Sequence, residues 1–327
     1  IVVSDVHFGD VWLAGGQSNM EWKLNMGINN VEAEYADSDY PMIRFFEVEN
    51  RLSFQQEEQL ATGEWKPASR KTVEEFSAVA WLFARRNHLE KGVAVGIIDN
   101  NWGGTPAQAW VSRARLEQLP AYREQTLELY ADLAEAERLY VENERSTAEK
   151  YRRLGSVEDA RATGAQLAEF DDSQWARTDF PTDETFEHLV WLRRTFDLPE
   201  VPENGVTLDL GDLVQDAFVF VNGELIASEN WTFTGSRHEL PATLLRQGKN
   251  QVAVRLGNSW DNRPKMGEQG DLHLVTPAGR TSLNDNWAWS NTLEPPLPME
   301  RRFSNEPAVL YNAMIQPVRR FSMLGVI

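Results

Sequence analysis

The spacing of the apolar residues changes along this chain of 327 residues, and that change constrains the fold more than any other feature. Over residues 72–91 apolar side chains recur three and four positions apart, which predicts an amphipathic helix ended by Gly92. Residues 93–98 are apolar without alternation, which indicates a strand buried on both faces. A similar run at 11–16 precedes them, and residues 105–106 read as the cap of a further helix. This order predicts a doubly wound α/β domain.

From residue 171 onward the apolar period becomes two. Residues 206–210 alternate apolar and polar side chains, and residues 218–221 run into Asn222-Gly223, which is the strongest short signal of a β-hairpin. Several short strands separated by turn residues favour an antiparallel β-sandwich.

We therefore predict three segments along the chain. Residues 1–170 form the first part of the α/β domain, with one or two long helices over 112–170 that divide near Gly155. Residues 171–290 form the inserted sandwich. Residues 291–327 return to the α/β domain, first as a helix from Pro307 and then as a short buried strand.

The charge and the composition exclude several kinds of function. There are 32 Lys and Arg residues against 50 Asp and Glu residues, and the resulting net charge of −18 opposes attraction to nucleic acid or to anionic lipid. No apolar run approaches the roughly 20 residues that cross a bilayer, so we expect no membrane span. The chain has no cysteine, and no pair of histidines has helical metal-ligand spacing, so we expect no catalytic metal.

Two glycine-containing loops follow the predicted parallel strands. The loop at 15–20 carries Ser18, and the loop at 100–106 offers the unhindered backbone N–H groups of Gly103 and Gly104. Because ligands meet the carboxyl ends of the strands in an open α/β sheet, these loops are expected to supply a nucleophile and half of an oxyanion hole. The alternative is that both are ordinary turns, with Ser18 as a helix cap.

These residues also resemble a known family. Residues 10–22, which include Gly-Gly-Gln-Ser-Asn-Met-Glu-Trp, closely resemble the first sequence block of the sialate O-acetylesterases, which are SGNH-type carbohydrate esterases. Residues 102–110 resemble the second block, and residues 310–317 are similar to the helix before the third. The resemblance covers roughly residues 5–120 and 305–327, and it implies a flavodoxin-like SGNH hydrolase domain. The segment between is similar to the galactose-binding-like β-sandwich found beside catalytic domains in glycosidases.

The resemblance implies roles for particular residues. Ser18 is the expected nucleophile, and its own N–H together with that of Gly103 or Gly104 is expected to bind the oxyanion. The side chains expected near the substrate are those of Gln17, Asn19, Trp102, Gln108, Trp110 and Asn312. For each tryptophan, packing in the core is the more common role.

Two further parts of the family pattern, a Gly-Glu-Ser-Asn block and a later segment with Asp and His, are not found in these residues. We expect them in a remaining C-terminal segment of the same protein, and we expect residues 1–327 alone to be nearly inactive. His7 cannot replace the base, because it enters the strand that Ser18 leaves and lies roughly 20 Å away. We assign structural roles to the other histidines, which are His88, His188, His238 and His273.

The expected reaction is ester hydrolysis by acyl transfer to Ser18, which needs no cofactor. By resemblance the first-choice substrate is an O-acetylated sialic acid, and an acetylated plant polysaccharide is the alternative. The rival from another class is a non-catalytic glycan-binding protein. Such substrates suggest an extracellular or periplasmic location.

Overall fold

The computed structural model describes residues 5–232, 235–268 and 270–327. The chain divides into two compact units. The first unit runs as far as Val141 and resumes at Arg302, and the second is Glu142–Arg301. The mixed α/β class that the sequence predicts is confirmed. The domain limits at 170 and 290 stay a prediction.

The elements are numbered in chain order. The α-helices are α1 (Ser18–Glu21), α2 (Val31–Ala36), α3 (Ala78–Lys91), α4 (Arg113–Leu116), α5 (Pro120–Leu129), α6 (Leu133–Gly155) and α7 (Val157–Ala162). The strands are β1 (Gly9–Gly16), β2 (Tyr40–Glu47), β3 (Trp65–Ala68), β4 (Ala94–Asn101), β5 (Ala176–Thr178), β6 (Leu189–Leu198), β7 (Val206–Asp209), β8 (Leu213–Val221), β9 (Glu224–Thr232), β10 (Arg237–Leu240), β11 (Gly248–Gly257), β12 (Lys265–Met266), β13 (His273–Thr276), β14 (Gly279–Ser282), β15 (Trp287–Ser290) and β16 (Gly325–Val326).

The sheet of the first unit has the order β16-β1-β4-β2-β3. Strands β16, β1, β4 and β2 pair in parallel, and β3 joins antiparallel at one edge. The apolar runs at 11–16 and 93–98 are therefore neighbouring parallel strands, as the sequence predicts. Their register pairs Gly16 with Asn101, so β1 and β4 end side by side at the carboxyl ends of the parallel strands.

Helix α3 begins later than its apolar spacing predicts. Residues Val73–Glu75 form a separate 3-10 turn, and α3 starts at Ala78 because the Ser77 hydroxyl accepts the N–H of Ala80 and caps the helix. The predicted end is confirmed, since Gly92 caps the helix in the left-handed conformation with φ of 67°.

The helical region after residue 112 is divided more finely than the sequence predicts. Helices α4 to α7 take the place of one or two long helices, and Pro120 occupies the first position of α5, where a missing N–H costs nothing. The predicted division near Gly155 is confirmed. There the hydroxyl of Ser156 accepts the N–H of Asp159 at 3.0 Å and caps α7.

The second unit contains two antiparallel sheets among its described residues. One has the order β10-β7-β13-β14, and the other joins β12, β8, β11, β6, β15 and β5, with β9 paired to β8. The predicted hairpin is confirmed: Asn222 and Gly223, with φ of 51° and 90°, connect β8 to β9. Side chains of both sheets share one core, which includes Val254 of β11 and Leu274 of β13.

The segment that begins at Pro307 is helical but not an ordinary α-helix. Val309 and Leu310 lead into a single π-helical turn over Tyr311–Ile315, and the last predicted strand is reduced to the two residues of β16. No helix in the described ranges is long and apolar enough to cross a membrane.

Candidate active site

Ser18 stands where β1 leaves the sheet. It is the first residue of α1, it is exposed, and its hydroxyl donates a hydrogen bond to Oε1 of Gln17 at 3.3 Å. Residues 15–20 and Val79 line an open groove of about 510 Å³ around it. The side chain is therefore presented to solvent at the carboxyl edge of the parallel sheet, where a ligand is expected.

The second glycine loop lies directly beside Ser18. The N–H of Trp102 donates to the carbonyl of Gly16 at 3.2 Å, which ties the two loops together. A Cβ atom placed on Gly103 would lie 3.5 Å from Cβ of Ser18. The structure thus brings Ser18 and Gly103 together, and a side chain on residue 103 would displace the carboxylate of Glu21.

The backbone N–H of Gly103 is hydrogen-bonded to a carboxylate. The N–H of Gly103 donates to Oε2 of Glu21 at 2.8 Å, and Oε1 of the same carboxylate accepts from Nδ2 of Asn50 at 3.3 Å. Gly104 adopts the left-handed conformation with φ of 73°, and the space beside its Cα is open. The amide of Gly103 therefore already holds an anionic oxygen, which is the kind of group that an oxyanion hole binds.

Glu21 was missed by the sequence reasoning, although a signal was available. It follows Ser18 by three positions, and residues three apart on a helical turn lie on the same side.

The two predicted tryptophans are partly buried against the core of the first unit. The indole N–H of Trp110 donates to Oγ1 of Thr105 at 2.9 Å, and that hydroxyl donates to the carbonyl of Trp102 at 2.6 Å. The prediction that Thr105 caps a helix is wrong, because its hydroxyl forms hydrogen bonds within the loop instead. Pro106 remains extended, and a short 3-10 turn follows at Ala107–Trp110.

The other predicted substrate residues lie in different surroundings. Gln17 and Asn19 are exposed and line the groove around Ser18. The carbonyl of Gln108 accepts the N–H of Ala308 at 3.0 Å. Asn312 is buried, and its Nδ2 donates to the Ser53 carbonyl at 3.0 Å and to the Tyr130 hydroxyl at 3.2 Å. The contacts recorded for Asn312 therefore join it to the protein interior rather than to the loop of Ser18.

Within the part of the chain that the structure describes, no histidine forms a hydrogen bond with Ser18. His7 lies 3.0 Å from a carboxylate oxygen of Asp5. His88 stands in the last turn of α3, as predicted, with Nδ1 at 2.6 Å from the Val93 carbonyl. No group of three or more metal-ligating side chains is found within the described part of the chain.

A polar cavity of about 620 Å³ borders the carboxylate of Glu21. Its wall combines charged, amide and hydroxyl side chains with two small or apolar residues: Glu21, Lys23, Glu47, Val48, Glu49, Asn50, Thr62, Gly63, Glu64, Lys66, Asp99 and Asn101. The register of the sheet explains part of this wall, because β2 and β4 are parallel neighbours and pair Glu47 with Asp99 at their carboxyl ends.

Asp99 is the most strongly perturbed group in this wall. Burial raises its pKa to about 7, and the nearby Glu47 carboxylate acts in the same direction. Asp99 accepts hydrogen bonds from the amide of Asn101 and from the backbone N–H of Ser77. Burial by itself would lower the pKa of Lys23, but hydrogen bonds to Glu47 at 2.9 Å and to another carboxylate raise it.

Comparison with known proteins finds relatives for part of this chain. No protein-family model matches the chain. The chain is 37% identical over 126 residues to the sialate O-acetylesterase of Rattus norvegicus, which covers 35% of this chain and 22% of the rat protein. It is 35% identical over 122 residues to the sialate O-acetylesterase of Homo sapiens, with 35% and 23% covered. The matched part thus spans less than a quarter of the length of these relatives.

Among solved structures, a carbohydrate acetylesterase from Xanthomonas citri is 19% identical, with 89% of this chain and 80% of that chain covered and a TM-score of 0.32. The resemblance of this chain to the sialate O-acetylesterase family is confirmed over about a third of its length.

Proposed function

We propose that this protein is a serine esterase that removes O-acetyl groups from sugars. The observation that carries the proposal is the exposed hydroxyl of Ser18 at the edge of a parallel sheet, with the backbone of Gly103 beside it. The matched relatives are named sialate O-acetylesterases, which makes O-acetylated sialic acids the first substrates to test. Acetylated plant polysaccharides come second.

The proposed reaction is an acyl transfer in two steps. Oγ of Ser18 loses its proton and attacks the acetyl carbonyl, the C–O bond to the sugar breaks, and the proton that Ser18 lost is taken up by the leaving sugar oxygen. Water then attacks the acetylated serine, releases acetate and restores the hydroxyl. In both steps the carbonyl oxygen becomes an oxyanion. It is proposed to accept hydrogen bonds from the backbone N–H of Ser18 and from that of Gly103 or Gly104. In the structure the N–H of Gly103 donates to the Glu21 carboxylate at 2.8 Å, so this hydrogen bond has to break before Gly103 can donate to the oxyanion.

We also propose that the first unit is a doubly wound, SGNH-type hydrolase domain interrupted by an antiparallel sandwich. The parallel order of β1, β4 and β2 supports the first part. The shared core of the two antiparallel sheets supports the second. The glycan substrates favour an extracellular or periplasmic place of action.

The proposal is tested with the protein expressed from its complete gene. Ser18→Ala is expected to reduce acetate release from an O-acetylated sugar by at least about 1,000-fold, because the nucleophile is lost. Ser173→Ala, at an exposed serine of the second unit, serves as the matched control and is expected to keep full activity. Unchanged hydrolysis by the Ser18→Ala variant would contradict the proposal. Glycan binding without any hydrolysis by the unaltered protein would favour a non-catalytic role.

A further inference from the structure

The polar cavity that begins at Glu21, three residues after Ser18, bears on which sugar the site accepts. Its volume of about 620 Å³ falls in the range of about 300–1,000 Å³ that is typical of small-ligand pockets. The cavity begins at Glu21, whose carboxylate is bonded to the amide of Gly103. A sugar whose acetyl group reaches Ser18 therefore has this cavity as its neighbouring space.

Negative charge dominates the cavity wall. Four glutamate carboxylates face two ammonium groups there, and the fifth carboxyl group, that of Asp99, has a pKa of about 7 and is only partly ionised at neutral pH. One of the two, Lys23, is already paired with Glu47 at 2.9 Å and with Glu75 at 3.3 Å, so its charge is largely compensated. The other, Lys66, is exposed, as are the carboxylates of Glu49 and Glu64. The local field therefore opposes the entry of an anion.

The same wall suits the hydroxyl groups of an uncharged sugar. Carboxylate oxygens accept hydrogen bonds from hydroxyls, and the amides of Asn50 and Asn101 offer both donors and acceptors. A sugar that bears its own carboxylate would meet repulsion, because the described wall of the cavity offers only Lys66 as a cation that is not paired with a carboxylate.

We propose that this cavity binds the sugar part of the substrate and selects O-acetylated sugars that carry no carboxylate group. The inference rests on the proposed esterase function and narrows its substrate class. It favours neutral acetylated glycans over free sialic acids.

The test uses two substrates that differ in one charge only. O-acetylated N-acetylneuraminic acid is compared with its methyl ester at the carboxyl group, which presents the same acetyl ester without the carboxylate. At low ionic strength kcat/KM for the methyl ester is expected to be roughly tenfold higher, because the repulsion of a few unit charges at close range is removed. The ratio is expected to approach one near 0.5 M salt, where such interactions are screened. Acetate release from both compounds without protein, measured at the pH of the assay, corrects for their intrinsic reactivity.

Variants of the cavity wall give a second readout. The double variant Glu49→Gln and Glu64→Gln is expected to reduce the tenfold ratio to about threefold or less, since two charges are lost. Glu32→Gln, at an exposed carboxylate of α2 outside the cavity, is the matched control and is expected to leave the ratio unchanged.

Three results would decide against the inference. Turnover of the free acid that equals or exceeds that of the methyl ester would overturn it and leave the esterase proposal intact. A Lys66→Gln variant that loses activity on the acid alone would overturn it in the same way, since Lys66 would then be a receptor for the carboxylate. If the protein hydrolyses neither of these compounds and no acetylated plant polysaccharide, the esterase proposal itself is overturned, and the inference with it.

Discussion

At the scale of single residues, the space beside Gly103 is partly filled by another side chain. A methyl group there would overlap the Glu21 carboxylate and would touch Ser18 at an ordinary contact distance of 3.5 Å. We expect Gly103→Ala to lower kcat/KM for acetate release by about 100-fold, because the backbone N–H is kept but displaced, and a misplacement of about 1 Å at a reacting centre can cost this much.

Gly104→Ala provides the comparison, because the space beside Gly104 is open and only its left-handed backbone is strained. That change is expected to reduce the free energy of unfolding by about 1 kcal/mol, measured by urea denaturation, while activity falls much less. Full activity in Gly103→Ala would show that the close approach to Ser18 is not needed.

The buried carboxyl of Asp99 predicts a pH dependence of stability. Its pKa is about 7 in the folded protein and near 3.8 in the unfolded chain, so the folded state holds the proton more tightly. The contribution is present in full below pH 4 and is lost as the pH rises towards 7, by about 4 kcal/mol in the free energy of unfolding. Asp99→Asn is expected to remove this decline, as measured by urea unfolding at pH 4, 5.5 and 7.5.

Asp39→Asn is the matched control for that measurement, since Asp39 is exposed and outside the cavity. It is expected to retain the decline of the unaltered protein. The same pH profile in Asp99→Asn and in the unaltered protein would contradict the assignment to Asp99.

Part of the site could be predicted from single residues. The rule that ligands meet the carboxyl ends of parallel strands is enough to bring Ser18 and Gly103 together. Glu21 was within reach of the same reasoning through its spacing from Ser18. The role of Thr105 could not be predicted in this way. A threonine before a proline can cap a helix or form hydrogen bonds within a loop, and the position of the Trp110 indole decides between the two.

At the scale of elements, the hairpin turn between β8 and β9 depends on Asn222 for more than its backbone. Its Nδ2 donates to the Leu244 carbonyl and to Oδ1 of Asn250, each at 2.9 Å, and its Oδ1 accepts the N–H of Gln251 at 3.0 Å. Asn222→Ala is expected to cost about 3 kcal/mol in the free energy of unfolding, because buried polar groups lose their partners.

Gly223→Ala in the same turn separates backbone from side-chain effects. Gly223 has φ of 90°, and an added Cβ would make only an ordinary contact with Leu167 at 3.6 Å. We expect a cost of about 1 kcal/mol by urea denaturation. Equal costs for the two variants would mean that the side-chain bonds of Asn222 contribute little.

Periodicity identified most elements but not their ends. The strands at 11–16 and 93–98 and the helix ended by Gly92 were all predicted from apolar spacing. The start of α3 is set by the hydroxyl cap of Ser77, and the residues just before it form a separate 3-10 turn. Breaks between short helices after residue 112 were also missed, because Ala, Leu, Glu and Arg favour a helix wherever they occur and do not mark its ends.

At the scale of the whole molecule, the second unit has a core of its own. Its fully buried members include Val190, Val254 and Leu274, which come from three different strands. We expect the fragment of residues 142–301 to fold alone and to unfold cooperatively in urea, followed by near-ultraviolet circular dichroism. Val254→Asp in this fragment buries an unpaired charge and is expected to abolish the transition. A fragment without a cooperative transition would contradict the independence of this unit.

The pairing of β1 with β16 has a consequence for how the protein is made. Trp12 faces Gly325, so the two strands leave the ribosome about 300 residues apart, and the whole second unit is synthesised between them. At about 5–20 residues per second this gap lasts roughly 15–60 s. During that time the strand leading to the proposed nucleophile has one edge without its native neighbour. We therefore expect that edge to be protected, by a chaperone or by delayed folding, until β16 has been synthesised.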